Sequence, residues 1–155
     1  MNDLSGQKVD LKNGAVAWQP CMIASDSIGK GTNVGALSHI GRNVQIGNNC
    51  RIQGSVYIAD GCIVGSDVFI GPNATLTNDR FPPSGGNWNP VVVEDKVVIG
   101  ANAVVVAGVT LHSKCIIAAG SVVTKDVPTG EVWAGNPAKF LMTSDEYESK
   151  RDANE

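Results

Sequence analysis

The stretch Ile28–Leu76, IGKGTNVGALSHIGRNVQIGNNCRIQGSVYIADGCIVGSDVFIGPNATL, repeats itself with a step of six residues. Counting by six gives Ile28, Val34, Ile40, Ile46, Ile52, Ile58, Val64, Ile70 and Leu76, every one a large aliphatic. Backwards, the same train takes in Met22 and Val16. A second train runs through Val93, Ile99, Val105, Leu111, Ile117 and Val123. One residue after the aliphatic stands Gly29, Gly35, Gly41, Gly47, Gly65, Gly71 or Gly100. Four residues after it stands a small or β-branched residue, such as Thr32, Ser38, Cys50, Val56, Cys62, Ala74, Ala103, Cys115 or Ser121. A period of six belongs neither to a helix nor to an ordinary strand. It describes one short strand and one tight corner per repeat, with glycine expected to supply backbone angles that other residues resist.

Three such edges close a triangular coil, so residues eighteen apart stack on one another and each rung bonds to its neighbours. Seventeen hexads make between five and six coils. The expected fold is therefore all-β, a parallel β-helix occupying residues 1–142, with the stretch before Val16 covering one end. Residues 143–155 read as a short C-terminal helix and tail, because Thr143-Ser-Asp-Glu146 has capping-box spacing.

The rhythm stops at Leu76 and returns at Val93. Between them, TNDRFPPSGGNWNP carries three prolines, two adjacent glycines and three asparagines, all loop-forming residues. Residues 77–92 are expected to be ejected from the coil, and an insertion of that length in a compact repeat fold is usually functional.

Composition narrows the function. The chain has 155 residues, 43% hydrophobic and 17% charged, with a net charge of −3, so it offers no basic stripe for nucleic acid. No apolar run suits a signal peptide or a membrane span. Four cysteines with no CxxC pair give no zinc framework and no redox motif. A soluble cytoplasmic protein is expected, with Cys50, Cys62 and Cys115 as free core filler and Cys21 nearer the surface.

The repeats IGKGTN, IGRNVQ and IGNNCR match the hexapeptide motif, and VIGANAVVVAGVTL followed by AAGSVVTKDVPTGEVWAGNPAK resembles the closing pattern of the hexapeptide-repeat acyltransferases. The resemblance runs from about Val16 to Lys139 and implies a left-handed β-helix. Within that family, CRIQGSVYIADGCIVGSDVFIGPNATLTND is most similar to the N-acetyltransferases of nucleotide-linked amino sugars. The resemblance implies acetyl-CoA as cosubstrate, a role in surface polysaccharide synthesis, and a homotrimer with its active sites in the clefts between subunits. Trp88 on the loop is the expected subunit anchor.

The same resemblance supplies candidate residues. Asn78 falls where the family's TN asparagine contacts the sugar amine, and Asp79 follows it as a proton acceptor or a sugar ligand, both residues being equally suited to starting a turn. His39 in LSHIG stacks in one column with Tyr57 and Thr75, near the loop, as a base, a sugar ligand or a seam residue. For the cofactor, the family pattern points to backbone around Gly100, Ala101, Ala119 and Gly120, to Lys125 and Lys139 for phosphates, and to Asn136 and Pro137 at the adenine end. His112 reads as an incidental surface residue.

The chain departs from the subfamily in two places. Its QNN is Gln53-Gly54-Ser55, and Phe81 precedes Pro82 where O-acetyltransferase relatives carry a loop histidine, which argues against a hydroxyl acceptor. Two other classes stay open: a metalloenzyme like the trimeric carbonic anhydrases, which would need three histidines where the chain has two, and a non-enzymatic solenoid scaffold.

Overall fold

The computed structural model describes residues 6–154; the first five residues of the leader and Glu155 lie outside the described residues. The six-residue step becomes a three-sided prism of two-residue strands. The first face stacks Val16–Gln19, Asn33–Val34, Arg51–Ile52, Phe69–Ile70, Val98–Ile99, Ile116–Ile117 and Glu131–Gly135, all parallel. The second stacks Met22–Ile23, His39–Ile40, Tyr57–Ile58, Thr75–Leu76, Val104–Val105 and Val122–Val123. The third stacks Gln45–Ile46, Ile63–Val64, Val92–Val93 and Thr110–Leu111, extended by single bridges from Ile28 and to Val127.

The register of eighteen holds from Ile28 upward: Val34 lies opposite Ile52, Ile40 opposite Ile58, and Ile46 opposite Val64. These aliphatics point inward and are almost wholly buried. Burying one such side chain is worth about 1.5–3 kcal/mol, and repetition on every coil is what sustains so narrow a core. The loop insertion leaves the stacking intact, since Leu76 still pairs with Val105 and Val64 with Val93. The chain leaves the coil after Leu76 and is buried again by Val91, slightly before the expected end of the loop at residue 92.

Three expectations are corrected. First, Val16 and Met22 do not point inward: Ala17 pairs with Val34 and Ile23 with Ile40, leaving Met22 58% exposed. The first strand is four residues long and also pairs antiparallel with Gln7–Asp10, which sets its register; the step from Ile23 to Ile28 is then five and restores the beat. Second, the first face has seven rungs, more than counting by six allows, because Val123 is followed inward by Val127 and then by Trp133 beside Ile117.

Third, the glycines after the aliphatics do not supply unusual backbone angles. Left-handed φ values fall two residues later, at Leu37, Asn43, Asn49, Ser55, Asp67, Asn73, Lys96, Asn102 and Lys114. The glycine column is steric instead: a Cβ on Gly71 would lie 2.8 Å from the carbonyl carbon of Gly100 in the coil above. Small inward polar residues are satisfied within the wall. Thr32 Oγ1 donates to the Gly47 carbonyl (2.7 Å) and accepts from Cys50 N (3.0 Å). The four cysteines are free thiols, Cys50, Cys62 and Cys115 buried and Cys21 half-buried.

Both ends are covered. Leu11 packs against the core at one end and Trp133 at the other. After Gly135 the chain turns back as Ala138–Thr143, antiparallel to Glu131–Gly135, and continues into helix α1, Ser144–Asp152. The capping box forms: Thr143 Oγ1 accepts from Glu146 N (3.2 Å) and Glu146 Oε2 accepts from Thr143 N (2.7 Å). Among the described residues no helix is long and apolar enough to cross a membrane.

Candidate active site

The prism has three corners, and each collects a different set of chemistry. The second corner, where the chain passes from second face to third, holds a column spaced by eighteen: Arg42, Asp60 and Asn78. Asn78 Nδ2 donates to the Asp60 carbonyl (3.1 Å). Asp60 Oδ1 accepts from Arg42 N (2.8 Å), and Oδ2 accepts from the Arg42 guanidinium at both Nε and Nη2 (2.9 Å each). The amide of Arg42 first, then its guanidinium, holds the Asp60 carboxyl below its usual range.

These residues line a groove of about 510 Å³ together with His39, Tyr57, Trp88, Met22, Ala24 and Gly41. The His39 ring stacks on Tyr57, centroids 4.7 Å apart and 15° from parallel, one rung above the other. His39 and Asn78, both candidates from the family resemblance, thus share one cavity. Arg42 and Asp60 were not singled out from the sequence. The stacking rule would have found them, since Asn78 minus eighteen is Asp60 and minus thirty-six is Arg42.

Asp79 does not line this groove. It lies in a neighbouring hollow of about 520 Å³ beneath the loop, with Arg80, Phe81, Trp88, Ala107 and Gly108. Its carboxylate accepts from Ser84 N (2.9 Å) and Phe81 N (3.1 Å), bonds that hold its pKa below the usual value, the Ser84 amide contributing most. Asp79 therefore organises the loop, the turn-forming role open to its residue type. Arg80 straps the loop to the coils above by donating to the carbonyls of Ala107 (3.0 Å) and Thr124 (3.3 Å). Phe81, 82% exposed, stands clear at the tip.

The residues chosen for the cofactor separate into two groups. Gly100, Ala101, Ala119 and Gly120 lie at the first corner, between first face and second. Gly100 and Ala119 line a cleft of about 590 Å³ under helix α1, with Ile116, Leu141, Tyr147 and Lys150. The hairpin tip carrying Asn136, Pro137 and Lys139 reaches the same corner, where Gly135 N donates to Ser121 Oγ (3.2 Å). Lys125, by contrast, is at the second corner, next to the Thr124 carbonyl that receives Arg80. Gly100 also has a reason for being glycine that needs no ligand: a Cβ there would lie 2.8 Å from backbone carbon of Ala118.

The third corner carries His112, whose Nδ1 lies 3.0 Å from Glu94 Oε1. Glu94 Oε2 accepts from Ser113 N (2.8 Å) and Ser113 Oγ (2.9 Å), so the carboxylate ties two successive coils together. Among the described residues no three metal-ligating side chains come together.

Comparison with known proteins bears on all of this. The family described as bacterial transferase hexapeptide (six repeats) matches residues 27–60 and 43–78, and the hexapeptide repeat of succinyl-transferase matches residues 90–125. A 2,3,4,5-tetrahydropyridine-2,6-dicarboxylate N-acetyltransferase of Staphylococcus aureus is 44% identical over 81 residues, covering 52% of this chain and 33% of that protein. The chain thus aligns with only about a third of the length of the curated relatives it matches. A hexapeptide-repeat acetyltransferase of Vibrio cholerae, solved with acetyl coenzyme A, superposes with a TM-score of 0.59 at 29% identity, over 73% of this chain and 70% of the other. PerB of Caulobacter crescentus, solved with CoA and GDP-perosamine, shares the fold with a TM-score of 0.63 at 24% identity, over 84% of this chain and 56% of PerB.

Proposed function

We infer the function from the family: this chain belongs to the bacterial hexapeptide-repeat transferases, and we propose that it is an acetyl-CoA-dependent N-acetyltransferase whose acceptor is the amine of a nucleotide-linked amino sugar. The observation that carries the reading is the groove at the second corner, where Asn78 and His39 line one cavity. Asn78 spends its Nδ2 on the Asp60 carbonyl, which turns its Oδ1 into the free end of the amide. An acceptor oxygen there takes a hydrogen bond from the incoming amine and aims the nitrogen lone pair, which is catalysis by orientation.

Acetyl-CoA supplies the acetyl group as a thioester. The C–N bond forms as the C–S bond breaks, sulfur leaves as the thiolate, and one proton must leave the nitrogen. His39, lining the same groove, is the side chain that receives it. The residues for the cosubstrate fit an extended, mostly apolar arm ending in phosphates: a cleft with Gly100, Ala119, Ile116 and Leu141, and Lys139 on the hairpin that reaches the same corner, while Lys125, at the second corner, belongs to the cosubstrate only if a neighbouring protomer brings it there. Support for acetyl-CoA comes from the Vibrio cholerae relative solved with it.

The proposal includes a homotrimer. Asn78 stands at one corner of the prism and Gly100 and Ala119 at another, so one chain presents the two halves of a site in different directions. A threefold assembly sets the second corner of one protomer against the first corner of the next, and closes the site three times.

A second reading is favoured by the 44% identity to the Staphylococcus aureus enzyme, whose name specifies a small dicarboxylate acceptor. The deciding experiment is a thiol-release assay with acetyl-CoA against UDP-, GDP- and dTDP-linked amino sugars and tetrahydropyridine dicarboxylate. Turnover with a nucleotide sugar alone supports the first reading, and turnover with the dicarboxylate alone replaces it with the second. No thiol release, together with no acetyl-CoA binding, would return the chain to a scaffold role.

A further inference from the structure

We propose that Arg42 is an oxyanion subsite for the acceptor, a position that no feature of the repeat pattern requires. Its guanidinium has five N–H donors in a planar fork. Two of them, at Nε and Nη2, are spent on Asp60 Oδ2. The remaining three have no partner among the described residues, and the side chain is 72% exposed in the groove that also holds Asn78, His39 and Tyr57.

Asp60 does not cancel this site. Both of its oxygens face Arg42, Oδ1 on the main-chain amide and Oδ2 on the guanidinium, and its side chain is only 21% exposed. The carboxylate therefore works as a clamp. It fixes the fork, so that the open Nη1 edge loses little freedom when an anion docks, and an arginine held in this way suits a bidentate carboxylate or phosphate. The clamp is linked to the candidate catalytic amide, because the Asp60 carbonyl holds Asn78 Nδ2. One residue thus sets both the anchor, one coil to one side of it, and the amide that meets the amine, one coil to the other.

The ligand chemistry is a planar or tetrahedral oxyanion on the acceptor, either the diphosphate of a nucleotide or the carboxylate of a small acid. The inference rests on the acetyl-transfer reading only in giving this groove to the acceptor. It is tested by calorimetric titration of the full chain with UDP and, separately, with glucuronate, for wild type, R42M and R42Q. R42Q keeps an amide that can donate to Asp60, so it remains informative if R42M is poorly folded. Acetyl-CoA titration of each variant runs beside them.

Loss of the fork is expected to weaken the bound anion about tenfold or more, with acetyl-CoA affinity unchanged. Dependence on Arg42 for UDP identifies the diphosphate; dependence for glucuronate identifies the carboxylate. If wild type binds neither probe, or if a folded variant binds them as tightly as wild type, the subsite is refuted. If the Arg42 dependence holds but acetyl-CoA fails to bind, the acetyl-transfer reading falls and the subsite stands.

Discussion

At Asn78 a single amide is divided between scaffold and ligand. Nδ2 is committed to the Asp60 carbonyl at 3.1 Å, so the carbonyl end of the amide is oriented before any acceptor arrives. Replacing it with alanine removes the oriented acceptor together with one hydrogen bond to the coil beneath, whose backbone ladder stays in place. Asn78→Ala is expected to lower kcat about a hundredfold, with KM for acetyl-CoA and the sedimentation of the protein unchanged. Wild-type turnover in this variant would remove Asn78 from the mechanism. Gly100 makes the opposite point, since its character is dictated by the backbone of Ala118 and Ala119 in the coil above. Gly100→Ala is expected to cost about 1–3 kcal/mol as an overpacked site, read by chemical denaturation. An unchanged midpoint would show that the corner can yield and that the glycine serves a ligand instead. His39 and Asn78 were proposed from motif position and both line one groove, whereas Asp79, which the sequence leaves as proton acceptor, sugar ligand or turn residue, lies in the neighbouring hollow with its carboxylate on the amides of Ser84 and Phe81.

Corners add to the strand ladders in holding neighbouring coils in register. Each strand is only two residues long, so side chains that bridge coils add bonds the ladders cannot supply. Glu94 is the fullest example, accepting from Ser113 N and Oγ and pairing with His112, all one coil above it. Those bonds, the Ser113 amide first, hold its carboxyl below the ordinary value. A carboxyl depressed in the folded state stabilises the protein above the unfolded-state pKa of about 4.3, and that contribution disappears as pH falls through the lower folded value. Glu94→Gln should therefore lower Tm at pH 7, with the gap to wild type closing below about pH 4. A gap that stays constant from pH 7 to pH 3 would mean the carboxylate charge plays no part. The first element shows where counting by six fails. Val16 and Met22 look periodic, yet pairing with Gln7–Asp10 sets the first rung one residue later, and periodicity cannot register a strand that lies outside the repeat.

Over the whole molecule, the repeat makes a rod whose three corners look in different directions, and the candidate residues are distributed among them. The acceptor groove and Lys125 belong to the second corner, while Gly100, Ala119 and the hairpin tip belong to the first. In the proposed trimer the loop is the natural bridge, because it is strapped to its own coils by Arg80 and still presents Phe81 at 82% exposure. Sedimentation should give a particle of three chains, and Phe81→Asp should shift it toward single chains at micromolar concentration. A wild-type protein that sediments as one chain would remove the trimer and with it any site shared between corners. The coil architecture, the ejected loop and the capped helix were determined by the sequence alone, because hydrophobic period, turn chemistry and capping spacing are local and additive. Which corner each residue occupies, that Arg42, Asp60 and Asn78 form one column, and that a carboxylate clamps the arginine were decided only by the tertiary structure. Those relations join residues a full coil apart, and their chemistry depends on which hydrogen-bonding groups the stacked backbone has already used.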